Sequence, residues 1–124
     1  MQEHLKFYID GEWVDPATPA TIDVINPTTE EPFATISMGS AADVDKAVAA
    51  AKAAFDSFSQ TTVQERVELL GAILGEYAKR YDEIAAAIST EMGAPIWLSK
   101  AAQAATGQAH FATALEILKN FAWE

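Results

Sequence analysis

Two histidines, a few clustered acids and a complete lack of cysteine define the chemistry open to this 124-residue chain. A thiolate nucleophile, a disulfide framework and a thiolate metal site each need a sulfur that the sequence does not supply. His4 lies near the amino terminus and His110 stands alone on a helical stretch. Neither belongs to an HExxH run or a Cys/His spacing that could hold zinc, so His110 reads as a packing residue rather than a general base. No serine or threonine has a histidine at a recognisable motif spacing, which removes the activated-hydroxyl nucleophile. The six glycines (11, 39, 71, 75, 93 and 107) form neither GxGxxG nor a P-loop, so no phosphate cradle is visible. Glu30-Glu31 falls in a turn and reads as solvated. Glu91 is the more interesting carboxylate, because it precedes the helix stop at Gly93, where a negative charge opposes the helix dipole. It is either an ordinary late-helix acid or a residue with a ligand of its own.

Composition narrows the classes further. The net charge of −10 argues against a nucleic-acid groove, which needs a basic stripe, and against an anionic membrane surface. Half of the residues are hydrophobic and 21% charged, which excludes a disordered class and gives one domain able to bury roughly two-thirds of its unfolded surface. The opening MQEHLKFYID has no charged region followed by a long apolar run, and no apolar run approaches the roughly 18 residues of a membrane span. A cytoplasmic location is expected.

The elements that would position any site follow from patterning. LKFYIDGEWV (5–14) reads as two short strands about an Asp10-Gly11 hairpin turn. Asp15-Pro16 and the stretch 17–21 form a loop, IDVI (22–25) a strand, Asn26-Pro27 a turn, and FATISM (33–38) a further strand ended by Gly39. Residues 1–39 thus read as a small β-meander that needs something to pack on. Residues 40–124 read as a helical layer of about four helices, giving an α+β chain. In the first helix Val44, Ala47, Val48, Ala51, Ala54, Phe55 and Phe58 form one apolar face, and Ser40 with Asp43 makes a relative of the capping box. Thr62 and Glu65 make a full capping box for the second helix, whose stripe is Val63, Val67, Leu70, Leu74, Tyr77 and Tyr81. Gly71 and Gly75, four apart, invite close approach of another helix. A bend at Tyr81-Asp82 leads to a third helical stretch closed by Gly93 and Pro95. A fourth helix runs from about Ile96 or Ser99 toward Phe121-Ala122-Trp123-Glu124, which has no stop signal and suggests a truncated chain.

The blocks FYIDGEWV (7–14), VINPTTEEPFATI (24–36), DVDKAVAAAKAAF (43–55), ERVELL (65–70) and EMGAPI (91–96), in this order and spacing, resemble the amino-terminal quarter of the NAD(P)-dependent aldehyde dehydrogenases. None of them is a catalytic motif. The resemblance implies a parent enzyme that oxidises an aldehyde to a carboxylic acid through a cysteine thiolate, hydride transfer to NAD or NADP and hydrolysis by a glutamate-activated water. It implies that the cysteine, the glutamate, the oxyanion-hole asparagine and the main nucleotide-binding residues lie beyond this length. The chain would then supply the opening strands and the helical layer flanking the three-layer α/β cofactor domain, with no catalytic or cofactor-binding residue of its own and no activity alone. Two family features fall within 1–124. A structural monovalent cation, Na⁺ or K⁺, would take backbone carbonyls at Val24 and Ile25 and the side chain of Glu91, as an incomplete site. The helix after EMGAPI would line the aldehyde tunnel, at Ala102 and Thr106 by ungapped placement.

Two classes stay open on the sequence alone. One is a piece of an aldehyde dehydrogenase, with an exposed apolar patch, self-association or a homo-oligomeric parent. The other is a free-standing helical binding or assembly module without enzymatic activity, monodisperse or with one defined oligomer.

Overall fold

The computed structural model describes residues 1–123 and divides the chain into two compact units, Met1–Gln60 and Thr61–Glu124. The first unit holds five strands, β1 (Gln2–His4), β2 (Phe7–Ile9), β3 (Glu12–Val14), β4 (Thr21–Asn26) and β5 (Glu31–Ser37), followed by α1 (Ala41–Phe58). The second holds α2 (Val63–Lys79), α3 (Tyr81–Met92), a single turn α4 (Ile96–Leu98), a π-helical segment Ser99–Ala104, and α5 (Ala105–Asn120). The α+β character follows from the sequence pattern, and each unit is built by local chemistry.

In the first unit, Asp10 and Gly11 both take positive φ, 56° and 80°, the geometry of the two-residue turn whose twist matches a hairpin. β2 and β3 therefore pair antiparallel in the register Phe7↔Val14, with Tyr8 and Trp13 stacked across the strands at 5.3 Å. The remaining strands form a separate sheet in the order β1-β5-β4. β4 and β5 are joined at Asn26, whose side-chain oxygen accepts from the Thr28 amide at 2.9 Å while its carbonyl accepts from Glu30, itself left-handed at φ 60°. The strands are thus more numerous than the pattern predicts, and they do not make one meander. The terminal residues 2–4, including His4, pair in parallel with β5, Gln2 opposite Ala34. A strand of three polar residues carries no period, so only its partner reveals it. Ile9 and Ala34 are the buried apolar residues here, and the buried Ser37 hydroxyl donates to the Leu5 carbonyl at 2.7 Å.

α1 opens on a complete capping box. The Ser40 hydroxyl accepts from the Asp43 amide, and the Asp43 carboxylate accepts from the Ser40 amide at 2.8 Å. The apolar face of this helix has the expected spacing but is not buried within the unit: Val44, Val48, Phe55 and Phe58 are all exposed, Phe55 by 67%. Periodicity reports that a helix is two-faced; it does not say that the covering surface lies in the same stretch of chain.

In the second unit, Arg80 closes α2 and opens α3, so the bend falls one residue before Tyr81. Gly93 ends α3 in the left-handed region at φ 71°, as its position predicts. Among the described residues nothing approaches Gly71 or Gly75 closely, since a methyl at either position would meet nothing. The glycine that does permit a close approach is Gly107 on α5, where a methyl would overlap the hydroxyl of Tyr77. The last helix is not uniform either. It starts as one α-turn, widens into the π segment and tightens again at Ala105. It stops at Asn120, whose side-chain amide donates to the Glu116 carbonyl at 2.9 Å, and Phe121 is extended.

Candidate functional site

The residues proposed from the sequence fall in three places. Val24 and Ile25 lie on β4, where the pairing with β5 slips: Val24 faces Ala34 and Ile25 faces Pro32, so one β5 residue is left over. Pro32 has no N–H to give to the ladder. Backbone carbonyl oxygen is the donor chemistry a hard monovalent cation takes. Glu91 belongs to the second unit, exposed in the final turn of α3, with no hydrogen-bond or ion-pair partner among the described residues. Among the described residues no cluster of three or more acidic or histidine side chains is arranged to hold a metal.

Ala102 and Thr106 share one exposed face, four residues apart, and the Thr106 hydroxyl donates to the Ala102 carbonyl at 2.8 Å. Ala102 sits inside the π segment, a winding that sequence reasoning missed. A π turn widens the helix and shifts its backbone bonds off the regular i→i−4 ladder, while each carbonyl keeps a second lone pair for a further donor. Three alternating carbonyls receive hydroxyls: Lys100 from Tyr81, Ala102 from Thr106, and Ala104 from Tyr77 at 2.8 Å. Ala104 is fully buried, and within the segment the fully buried Ser99 hydroxyl donates to the Gln103 side chain at 3.1 Å. The two tyrosines stand edge to face at 6.5 Å, and Tyr77 also packs on Phe111. In the sequence Tyr77 and Tyr81 end an apolar stripe, and nothing marks their hydroxyls as donors to another helix.

A dinucleotide requires a helix N-terminus free to receive its pyrophosphate. Here those positions carry the chain's own acids: Asp43 on α1, Glu65 on α2, Asp82 and Glu83 on α3. Asp43 is buried and accepts from the Ser40 amide, the Ser40 hydroxyl and the Ala17 amide, bonds that hold its carboxyl below the ordinary aspartate range. Glu65 is lowered in the same way by the Thr62 amide and then the Thr62 hydroxyl. An incoming phosphate would meet carboxylates at these three N-termini, whereas the helical run that opens at Ile96 carries no acid in its first turn. His110 lies exposed on α5, without a carboxylate or hydroxyl partner among the described residues.

Comparison with known proteins places these two units. A Staphylococcus aureus relative, named as an aldehyde dehydrogenase, is 45% identical over all 124 residues, which span 26% of its length. The crystal structure of an aldehyde dehydrogenase from Bartonella henselae superposes with a TM-score of 0.96 at 46% identity, over 98% of this chain and 26% of that one. An aldehyde dehydrogenase C mutant from Pseudomonas syringae, complexed with NAD+ and octanal, gives a TM-score of 0.92 at 45% identity, over 94% of this chain and 24% of that one. The chain therefore spans about a quarter of the length of the relatives it matches. The family model described as the aldehyde dehydrogenase family matches residues 13–123, and the chain belongs to that family.

Proposed function

We propose that this chain forms the amino-terminal quarter of a cytoplasmic, NAD- or NADP-dependent enzyme that oxidises an aldehyde to a carboxylic acid. The observation that carries the proposal is the likeness itself: 98% of the chain superposes on an aldehyde dehydrogenase of which it makes up 26%. In this reading nucleotide binding and the covalent step belong to other parts of the enzyme, and the exposed face of α1 agrees with it as a surface covered in a larger, homo-oligomeric protein. Within this reading the backbone carbonyls at Val24 and Ile25 are candidate ligands for a Na⁺ or K⁺ ion, and Glu91, in the other unit, is a separate candidate oxygen ligand. Ala102 and Thr106 contribute to the wall along which the aldehyde reaches the reacting centre.

The test is expression of the continuous natural reading frame, followed by aldehyde-dependent formation of NADH or NADPH read from its absorbance. Turnover that disappears when a cysteine outside residues 1–124 is replaced by alanine supports the reading. A frame that yields protein with no turnover on any aldehyde and either nucleotide overturns it. Elemental analysis of the dialysed protein addresses the cation: no retained Na⁺ or K⁺ would remove Val24, Ile25 and Glu91 from consideration.

A further inference from the structure

We propose that Tyr77 and Tyr81 are positioning residues that lock the π segment Ser99–Ala104 in its wide winding and thereby fix where Ala102 and Thr106 face. The inference rests on the reading of that face as a wall of the aldehyde path. The lock is visible in the hydrogen bonds. The Tyr81 hydroxyl donates to the Lys100 carbonyl near the start of the segment, and the Tyr77 hydroxyl donates to the Ala104 carbonyl at its end. Between these two anchors lies Ala102, whose carbonyl takes the Thr106 hydroxyl from the exposed side. A helix that leaves the regular α ladder does so at a cost, and hydroxyls that occupy second lone pairs of its carbonyls favour the wide winding. Here two of those hydroxyls come from α2 and α3, outside the helix that contains the segment. Gly107 lets the Tyr77 hydroxyl approach, because a methyl there would overlap it. Reversion to a regular α-helix would turn the residues on one side of the segment by about 100° relative to those on the other. Ala102 and Thr106 would then no longer present the same surface.

The experiment is a Tyr77→Phe/Tyr81→Phe double variant of the full-length enzyme, in which both rings stay and only the hydroxyls go. We expect backbone amides of residues 103–106 to exchange with deuterium about tenfold faster, as expected when hydrogen bonds of ordinary strength are lost. We expect KM for long straight-chain aldehydes to rise about three- to tenfold, with kcat and the nucleotide KM within about twofold of wild type. Single variants should each show a smaller shift in the same direction. Unchanged amide protection overturns the lock, whatever the substrate proves to be. Faster exchange with aldehyde KM unchanged, or with kcat and every KM altered together, overturns the positioning role. Wild-type protein that oxidises no aldehyde overturns the proposed function, and the placement role with it. Active wild type with an indifferent double variant overturns only what is assigned to the tyrosines.

Discussion

The two capping boxes are chemically the same and structurally unlike. At α1, Ser40 and Asp43 are joined as Thr62 and Glu65 are at α2, hydroxyl to amide and carboxylate to amide. Yet Glu65 is exposed and bonds only to its own cap, whereas Asp43 is buried and reaches Ala17, 26 residues earlier in the chain, at 2.9 Å. One box ends a helix; the other also ties down the loop that leads to β4. The long-range ties of the second unit are of a different kind, neutral hydroxyls donating to carbonyls, with Tyr77 and Ala104 also 27 residues apart. The first unit is thus tied by a carboxylate, and the second by neutral hydroxyls.

Breaking the tie in the first unit should have the largest effect. Asp43→Ala removes every partner of the Ala17 amide and half of the α1 box, and should lower the denaturation midpoint more than Glu65→Ala does. Equal losses for the two variants would mean that the Ala17 bond contributes nothing. The pH dependence sharpens the contrast. A carboxyl whose folded pKa is depressed adds stability above its unfolded pKa, near 4, and that stability is lost as the pH falls through the lower folded value. As the pH falls below about 4, protection of the Ala17 amide relative to its intrinsic exchange rate should drop while that of the Ser99–Ala104 segment holds. Simultaneous loss of both would erase the distinction between the units.

Next in size is Gly107→Ala. Overpacking against Tyr77 costs about 1–3 kcal/mol, offset by up to about 1 kcal/mol of improved helix propensity, so a net loss near 1 kcal/mol is expected. The loss should shrink when Tyr77→Phe removes the overlapping oxygen, and purely additive effects in urea denaturation would contradict the close approach. Thr62→Ala should cost about 1 kcal/mol, the ordinary value of an N-cap, and leave the first unit's exchange pattern untouched. The smallest effect belongs to Lys100→Met. It breaks an exposed 2.8 Å ion pair with Asp82, worth about 0.2–1 kcal/mol and fading with salt, but leaves the Lys100 carbonyl in place for Tyr81. A large loss there would mean that the surface charge, rather than the tyrosine hydroxyl, secures the segment.

What the sequence makes legible is what neighbours in sequence decide. The Asp10-Gly11 turn, both capping boxes and the Gly93 stop each rest on residues within four positions of one another, and each forms as its chemistry predicts. The pairing of β1, the reach of Asp43 to Ala17 and the tyrosine bonds to the π segment rest on separations of 19 residues or more, and no local period encodes them. Gly71 and Gly75 show the converse error: a motif suggesting close approach where no neighbour stands, while the isolated Gly107 carries the contact. For the candidate site, the slip in register that sets Ile25 opposite Pro32 comes from strand pairing and is not legible in the sequence. The family was legible because five blocks in fixed order are far more specific than any one residue.

The uncovered face of α1 has a consequence in time. In relatives about four times this length, a ribosome adding about 5–20 residues per second needs roughly 20 to 70 s to synthesise the remainder. A chain that presents residues such as Val44, Val48 and Phe55 to water for such an interval is a ligand for chaperones and for its own neighbours on a polysome, so an exposed helix face of this kind carries an early risk of aggregation.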